Sequence, residues 1–470
     1  MTYYPRTKIV CTLGPASNSP EVLRDLMQAG LNVARVNFSH GTHDQHASLI
    51  ATIRQVAAEL ERPVAILGDL QGPRIRIGDL DAPRMLVEGS DVTLVAEEHA
   101  EGDEIPVTYD KLADDVNAGD RILMDDGLLE VVTLEVRAPR VRARVVHGGE
   151  LRSHKGLNLP GVHVSAPSIT EKDEEDIRFA IRQGVEYLAL SFVRRAEDID
   201  QLRQMLPPDI LIIAKIEKDV ALRNIDSILR AADGVMVARG DLGVELPFEE
   251  VPLAQKRIIA LANRLGKPVI TATQMLESMV VHARPTRAEA SDVANAILDG
   301  TDAVMLSAET ATGAFPRLAV AAMTRIITEV EAHPIAPPPE SIALRPREGP
   351  VKTELAIAVA TVAATRMVDA PCVMVITKSG FSARIVASHR PNVAILALTD
   401  IERTSRQLAL IWGAIPVLVP HCDKYSEMVH HGLEAVKRLK LANPGDRIVI
   451  TAGVPFDIPG TTNMLKVEIV

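Results

Sequence analysis

Eight short apolar runs, most followed by a helical pattern, constrain the fold of this chain more than any other feature. They are Lys8 to Leu13, Val33 to Phe38, Val64 to Leu67, Tyr187 to Phe192, Ile210 to Ile216, Gly234 to Ala238, Pro268 to Thr273 and Ala303 to Ser307. Runs this short and this rich in branched side chains read as buried strands rather than helices. Strands that alternate with helices pair in parallel, and eight such units predict a closed barrel whose functional rim lies at the strand C-terminal ends. The helix starts agree. Ser19-Pro20-Glu21 offers a cap, a proline at the first helical position and an early acid, and Thr286 with Glu289 forms a capping box after Pro285.

The alternation stops between the third and fourth runs. From about Arg84 to Val164 the pattern changes to period-two segments separated by turn signals, among them Asp125-Asp126-Gly127 and Gly148-Gly149. An all-β insertion here leaves and re-enters at the functional rim, a position from which it can close over the site as a lid. Beyond the eighth run, the proline-rich stretch His333 to Pro350 reads as a linker, and the renewed alternation after it as a separate domain. The expected class is therefore α/β: a (β/α)8 TIM barrel from 1–72 and 168–340, an inserted small β-barrel lid from 73–167, and a C-terminal α/β domain from 341–470. A length of 470 residues accommodates three such units.

Composition narrows the function classes. A net charge of −11 with both signs interspersed argues against a general nucleic-acid binder and makes any anion site a local exception. Cys11, Cys372 and Cys422 are far apart, without the paired spacing of a metal or disulfide framework, which fits a reducing cytoplasm. The stretch Met1 to Ile9 is polar and basic rather than a signal peptide, and no apolar run is long enough to span a bilayer, so no membrane partner is expected.

The chemistry concentrates at the ends of the fifth and sixth runs. In a strand, Lys215 and Glu217 emerge on one face while Ile216 points away. Asp241, at the end of the next run, supplies a second carboxylate, and two carboxylates suit a magnesium or manganese ion that also takes substrate oxygens. The alternative is a structural salt bridge at a strand end. Arg239-Gly240-Asp241 also has the form of an adhesion signal, against which the preceding buried strand argues. At the second run, Arg35, Asn37 and Ser39 share a face suited to an oxyanion, or else Ser39 or Gly41 caps the following helix. The third run brings Asp69, tight-turn residues, then Arg74 and Arg76, and the last two bring Thr271, Thr273, Ser307 and Thr310, hydroxyls able to hold water or a carboxylate. In the C-terminal domain, Thr377 to Ser382 is a hydroxyl-rich turn that either binds phosphate or caps a helix through serine.

These residues together resemble the pyruvate kinase family over essentially the whole chain. The matching stretches are Thr7 to Ser17, Asn37 to Gly41, Lys215 to Glu217, Ala238 to Gly243, Thr273 to Met279 and Pro285 to Asn295. The resemblance implies phosphoryl transfer from phosphoenolpyruvate to ADP, giving pyruvate and ATP, usually in a homotetramer. It implies that Glu217 and Asp241 hold magnesium, that Lys215 stabilises the phosphoryl group, and that Arg35 contacts it. Gly240, Asp241 and Thr273 would receive the substrate carboxylate, and Thr273 with Ser307 would lie along a proton relay to the enolate. Arg76 and Lys155 match nucleotide-contacting positions, with Asn37 and His40 nearby, and a second magnesium would arrive with the nucleotide.

Two departures carry expectations of their own. The family's potassium pocket corresponds to Asn37, Ser39, Asp69 and the backbone carbonyl of Leu70, but Arg74 stands where many members have glutamate. A fixed guanidinium there supplies the positive charge and repels a second cation, so activity without added potassium is expected. Thr377, Lys378, Ser379, Gly380 and Ser382 resemble the allosteric sugar-phosphate loop, and Phe381, where some relatives have arginine, favours a sugar monophosphate or AMP over a bisphosphate. The competing classes are a barrel lyase or aldolase, using Lys215 as a Schiff-base nucleophile or Glu217 and Asp241 as ligands of an enolate-binding metal, and a catalytically silent metabolite-sensing scaffold.

Overall fold

A computed structural model describes residues 4–333, 351–422, 424–454 and 462–470. All eight expected strands form, and we number them β1 (Lys8–Thr12), β2 (Val33–Asn37), β3 (Ala65–Asp69), β4 (Tyr187–Leu190), β5 (Leu211–Ile216), β6 (Gly234–Ala238), β7 (Val269–Ala272) and β8 (Ala303–Leu306). They pair in parallel around a closed ring, β8 returning to β1. The helix starts follow the sequence. Ser19 accepts from the Val22 amide ahead of Pro20, and Thr286 and Glu289 make a reciprocal capping box.

Strand ends differ from the apolar runs for a physical reason. Phe192, Thr273 and Ser307 belong to the runs yet lie outside the strands: the first two have φ of 54° and 67°, and Ser307 has φ −108° and ψ −100°. The chain leaves the ladder at the rim to aim these side chains. β3 does the opposite and runs on through Gly68 and Asp69, because both find partners, Val36 and Asn37 in β2 and Leu188 and Ala189 in β4. Asn37 and Asp69 thus become direct neighbours.

The barrel has two apolar layers. Its interior packs Val10, Leu67, Tyr187, Ile213, Met236, Ile270 and Met305, and the floor is filled by Ala409 and Leu410 from the C-terminal domain. The outer layer joins the strands to the surrounding helices. Burial of both strand faces explains why these strands read as continuous apolar runs.

Between β3 and β4 the insertion builds a six-stranded sheet and a two-stranded sheet around a core of its own, with short helical turns at Glu97–His99 and Leu112–Asp115. The alternation seen in the sequence is real: Val131 and Thr133 in one strand, and Val141, Ala143 and Val145 in its partner, turn inward. Asp125, Asp126 and Gly127 all adopt positive φ in the predicted turn. The C-terminal domain is a five-stranded sheet, four strands parallel and Met464–Ile469 antiparallel at the edge. The expected linker, apart from His333, lies outside the described residues.

Candidate active site

Strand register brings the predicted residues together at the C-terminal rim. Lys215 and Glu217 share a face, as the two-residue period requires, and Lys215 Nζ lies 2.9 Å from Glu217 Oε1 and 3.3 Å from Asp69 Oδ1. Asp69 in turn takes the Arg35 guanidinium at 2.6 Å, while Arg35 Nη1 donates to the Thr12 hydroxyl at 2.8 Å. The four charged groups form one buried array. Burial alone would lower the Lys215 ammonium, but the charges of Asp69 and Glu217 outweigh it and hold the group above its ordinary value. A lysine so held favours its ammonium form and makes a poor Schiff-base nucleophile. Burial also opposes ionisation of Asp69, yet Lys215 and Arg35 keep its carboxyl below the usual range.

Glu217 behaves differently. Burial, with the nearby charge of Asp241, raises its carboxyl despite the pull of Lys215. Its second oxygen accepts the Phe192 amide at 2.6 Å. Two carboxylates converging in this way are relieved by a divalent cation, so the donor set fits magnesium. Among the described residues no group of three or more His, Cys, Asp or Glu side chains is placed to hold a metal ion.

Thr273 and Gly240 meet at the ends of β7 and β6. The Gly240 amide donates to the Thr273 hydroxyl at 2.7 Å, and that hydroxyl donates to the Ala272 carbonyl at 2.6 Å. Asp241 follows in the short helix Arg239–Glu245. At the end of β8, the Ser307 hydroxyl is buried without a hydrogen-bond partner, an acceptor or donor held ready beside Glu309, which fixes the Ser307 amide at 2.7 Å. The adhesion reading fails on geometry. Arg239 is mostly buried and paired with Asp292.

Several readings shift. The helix after β2 is capped by Thr42, with Gln45 completing the box, rather than by Ser39 or Gly41, so the Asn37 to Gly41 turn is left to other work. Within it Asn37 Oδ1 accepts the Ser39 amide at 3.2 Å. The Leu70 carbonyl accepts the Ser191 hydroxyl at 2.7 Å. His40 is held below its ordinary value by burial and by Arg74, Arg76 and Arg35, which identifies these four as one electropositive neighbourhood. Arg76 Nη1 donates to the His154 carbonyl at 2.9 Å, and Lys155 pairs with Asp125 at 2.8 Å. Between barrel and insertion lies a cleft of about 620 Å³ whose lining includes Arg74, Asp126, Asn158, Asp241 and Glu245.

In the C-terminal domain, the helix Phe381–Ser388 begins after Gly380 with φ 74° and has no side-chain cap, so the serine-cap reading does not hold. Lys378 Nζ pairs with Asp400 at 2.6 Å, the Ser379 carbonyl accepts Arg384, Thr377 is buried with its amide on the Leu398 carbonyl, and the buried Ser382 hydroxyl meets that of Thr462 at 2.5 Å.

Comparison with known proteins decides the family. The model of the pyruvate kinase barrel domain matches residues 4–320, and that of the pyruvate kinase alpha/beta domain matches residues 355–468. The chain belongs to the pyruvate kinase family. It is 48% identical to the pyruvate kinase of Geobacillus stearothermophilus over 99% of this chain and 80% of the relative, and 47% identical to pyruvate kinase 2 of Synechocystis sp. over 99% and 79%. A pyruvate kinase crystal structure from Cryptosporidium parvum superposes with a TM-score of 0.94 at 37% identity, covering 99% of this chain and 96% of that one. Membership makes this an enzyme, a phosphotransferase. Among the described residues no helix is long and apolar enough to cross a membrane.

Sequence reasoning overlooked Ser191 and Phe192. The Ser191 hydroxyl receives Lys215 Nζ at 2.7 Å, and Phe192 anchors Glu217 through its amide. The signal was available, since both stand at the end of the fourth run, the rim position of an otherwise complete set.

Proposed function

We propose that the array of Lys215, Glu217, Asp69 and Arg35 is the phosphoryl-transfer centre for the family's reaction, in which phosphoenolpyruvate phosphorylates ADP to give pyruvate and ATP. The observation that carries this is Lys215, a buried ammonium kept charged by two carboxylates. The transferring group is anionic, and catalysis of its passage is mostly positioning plus positive charge. Lys215 and Arg35 supply that charge. The Gly240 and Asp241 amides, with the Thr273 hydroxyl, receive the substrate carboxylate, which takes over the bonds that Gly240 and Thr273 otherwise exchange. Glu217 and Asp241 hold the magnesium, manganese being a chemical equivalent, whose role when bound is to neutralise phosphoryl and enolate oxygens. Thr273 and Ser307 deliver the proton that the methylene carbon requires, the Ser307 hydroxyl having no competing partner.

His40, Arg76 and Lys155, with Asn37, form the nucleotide side, a cationic neighbourhood suited to a diphosphate. A second magnesium accompanies the nucleotide. At the monovalent-cation pocket, Asn37 Oδ1 accepts the Ser39 amide, the Leu70 carbonyl accepts the Ser191 hydroxyl, and the Asp69 carboxylate is matched by two cations, Arg35 and Lys215. This supports turnover without potassium. The Thr377 to Ser382 turn receives a phosphorylated effector, a sugar monophosphate or AMP. A homotetrameric, cytoplasmic enzyme completes the reading. The deciding experiment is a coupled pyruvate assay on phosphoenolpyruvate and ADP with magnesium. Failure to form pyruvate, or pyruvate formation independent of ADP, would return the site to the lyase class.

A further inference from the structure

Thr273 and Gln274 are consecutive non-glycine residues in the left-handed region, with φ of 67° and 55°. For a β-branched residue this backbone is a genuine outlier, and it persists only where the surroundings over-determine it. One side chain does so here. Arg239 Nη2 donates to the Thr273 carbonyl at 2.8 Å and to that of Gln274 at 3.5 Å, and Nε donates to the Ala272 carbonyl at 3.4 Å. Asp292, from the helix Arg287–Asp299, takes Nη1 at 2.7 Å. Only a guanidinium offers donors in a fixed fork able to serve three successive carbonyls and a carboxylate together.

We propose that Arg239 is a positioning residue for phosphoenolpyruvate: by clasping the carbonyls of residues 272–274 it holds the Thr273 hydroxyl against the Gly240 amide, where the substrate carboxylate binds. Arg239 itself does not touch substrate. The inference rests on the reading above, in which Thr273 and the Gly240 amide receive that carboxylate.

The test is steady-state kinetics on the full chain, varying phosphoenolpyruvate and ADP separately. In Arg239→Met, kcat/KM for phosphoenolpyruvate should fall by about tenfold or more, while KM for ADP stays within about twofold. Combining Arg239→Met with Thr273→Ala should cost no more than the worse single change, because both act through one hydroxyl. Gln274→Gly, which removes part of the backbone cost, should recover about threefold of the loss in the Arg239→Met background. If Arg239→Met does not fold, Asp292→Asn keeps the guanidinium but releases its anchor and must show the same substrate-selective loss. Multiplying losses, equal effects on both substrates, or parental kinetics in Asp292→Asn would each overturn the assignment. A parent chain that makes no pyruvate would instead overturn the functional reading beneath it.

Discussion

Lys215 Nζ lies 2.9 Å from the carboxylate of Glu217, which stands one residue beyond the end of β5 and emerges on the same side as Lys215. The contact is a consequence of strand period, and it sets the electrostatics of the rim.

Removing the ammonium should cost both catalysis and stability. Lys215→Met withdraws the phosphoryl-stabilising charge and leaves Asp69 and Glu217 buried with less compensation. The expected fall in kcat is about 10²–10³-fold, and the expected loss of stability about 3–5 kcal/mol. A coupled assay and thermal unfolding read the two effects, and activity within about tenfold of the parent would contradict the role.

Arg74 is expected to set the cation requirement. Its charge is felt at His40 and Arg76 and it lines the cleft. The parent should run at full rate in potassium-free buffer, whereas Arg74→Glu should gain several-fold on adding potassium. A potassium response in the parent would refute this account.

Glu186 ties barrel to C-terminal domain. It is fully buried and accepts Arg54 at 2.7 Å, Arg406 at 2.7 Å and the Ile66 amide at 2.7 Å. Glu186→Gln leaves two guanidinium groups without their carboxylate, so stability should drop by about 3–5 kcal/mol while kcat well below the transition stays unchanged. Parental melting behaviour would show the contact to be neutral.

Lys8 gives the chain an alkaline signature. Its ammonium is buried at the barrel floor on the Ala414 carbonyl at 2.7 Å, and burial followed by the charge of Arg62, only partly opposed by Glu331, brings it down to about 8 from 10.5. Between those values the unfolded chain binds the proton and the native one does not, so stability attributable to this group rises with pH across the window. Denaturant unfolding of parent and Lys8→Met at intervals from about pH 7 to 11 should show a slope lost in the variant, amounting to about 3 kcal/mol at most. Equal slopes would place the effect elsewhere.

The Thr377 to Ser382 turn, proposed to receive an effector, is held by an ion pair. Lys378 bonds Asp400, and Asp400 also takes His421 at 2.7 Å. An anionic effector that recruits Lys378 must compete with that carboxylate, so Asp400→Asn should lower the half-activating concentration of glucose 6-phosphate, ribose 5-phosphate or AMP, and Lys378→Met should abolish the response. Activation by none of these, or by fructose 1,6-bisphosphate alone, would undo the assignment.

What the sequence determined by itself was everything governed by local periodicity. Eight buried strands, the break into period-two segments, the capping box of Thr286 and Glu289 and the paired emergence of Lys215 and Glu217 all follow from spacings of two to four residues. Resemblance carried the reaction onto them. Only tertiary structure decided which charges meet. Asp69, Arg35 and Lys215 lie on β3, β2 and β5, and their contact depends on ring closure and register, so Asp69 looked like a cation ligand when it is first the partner of two cations. The partners of Ser191 and Arg239 were illegible for the same reason, although the place of Ser191 at the rim end of the fourth run was not. A serine after a strand and an arginine before a glycine have no distinctive local pattern, and their work is done on residues 24 and 34 positions away in the chain.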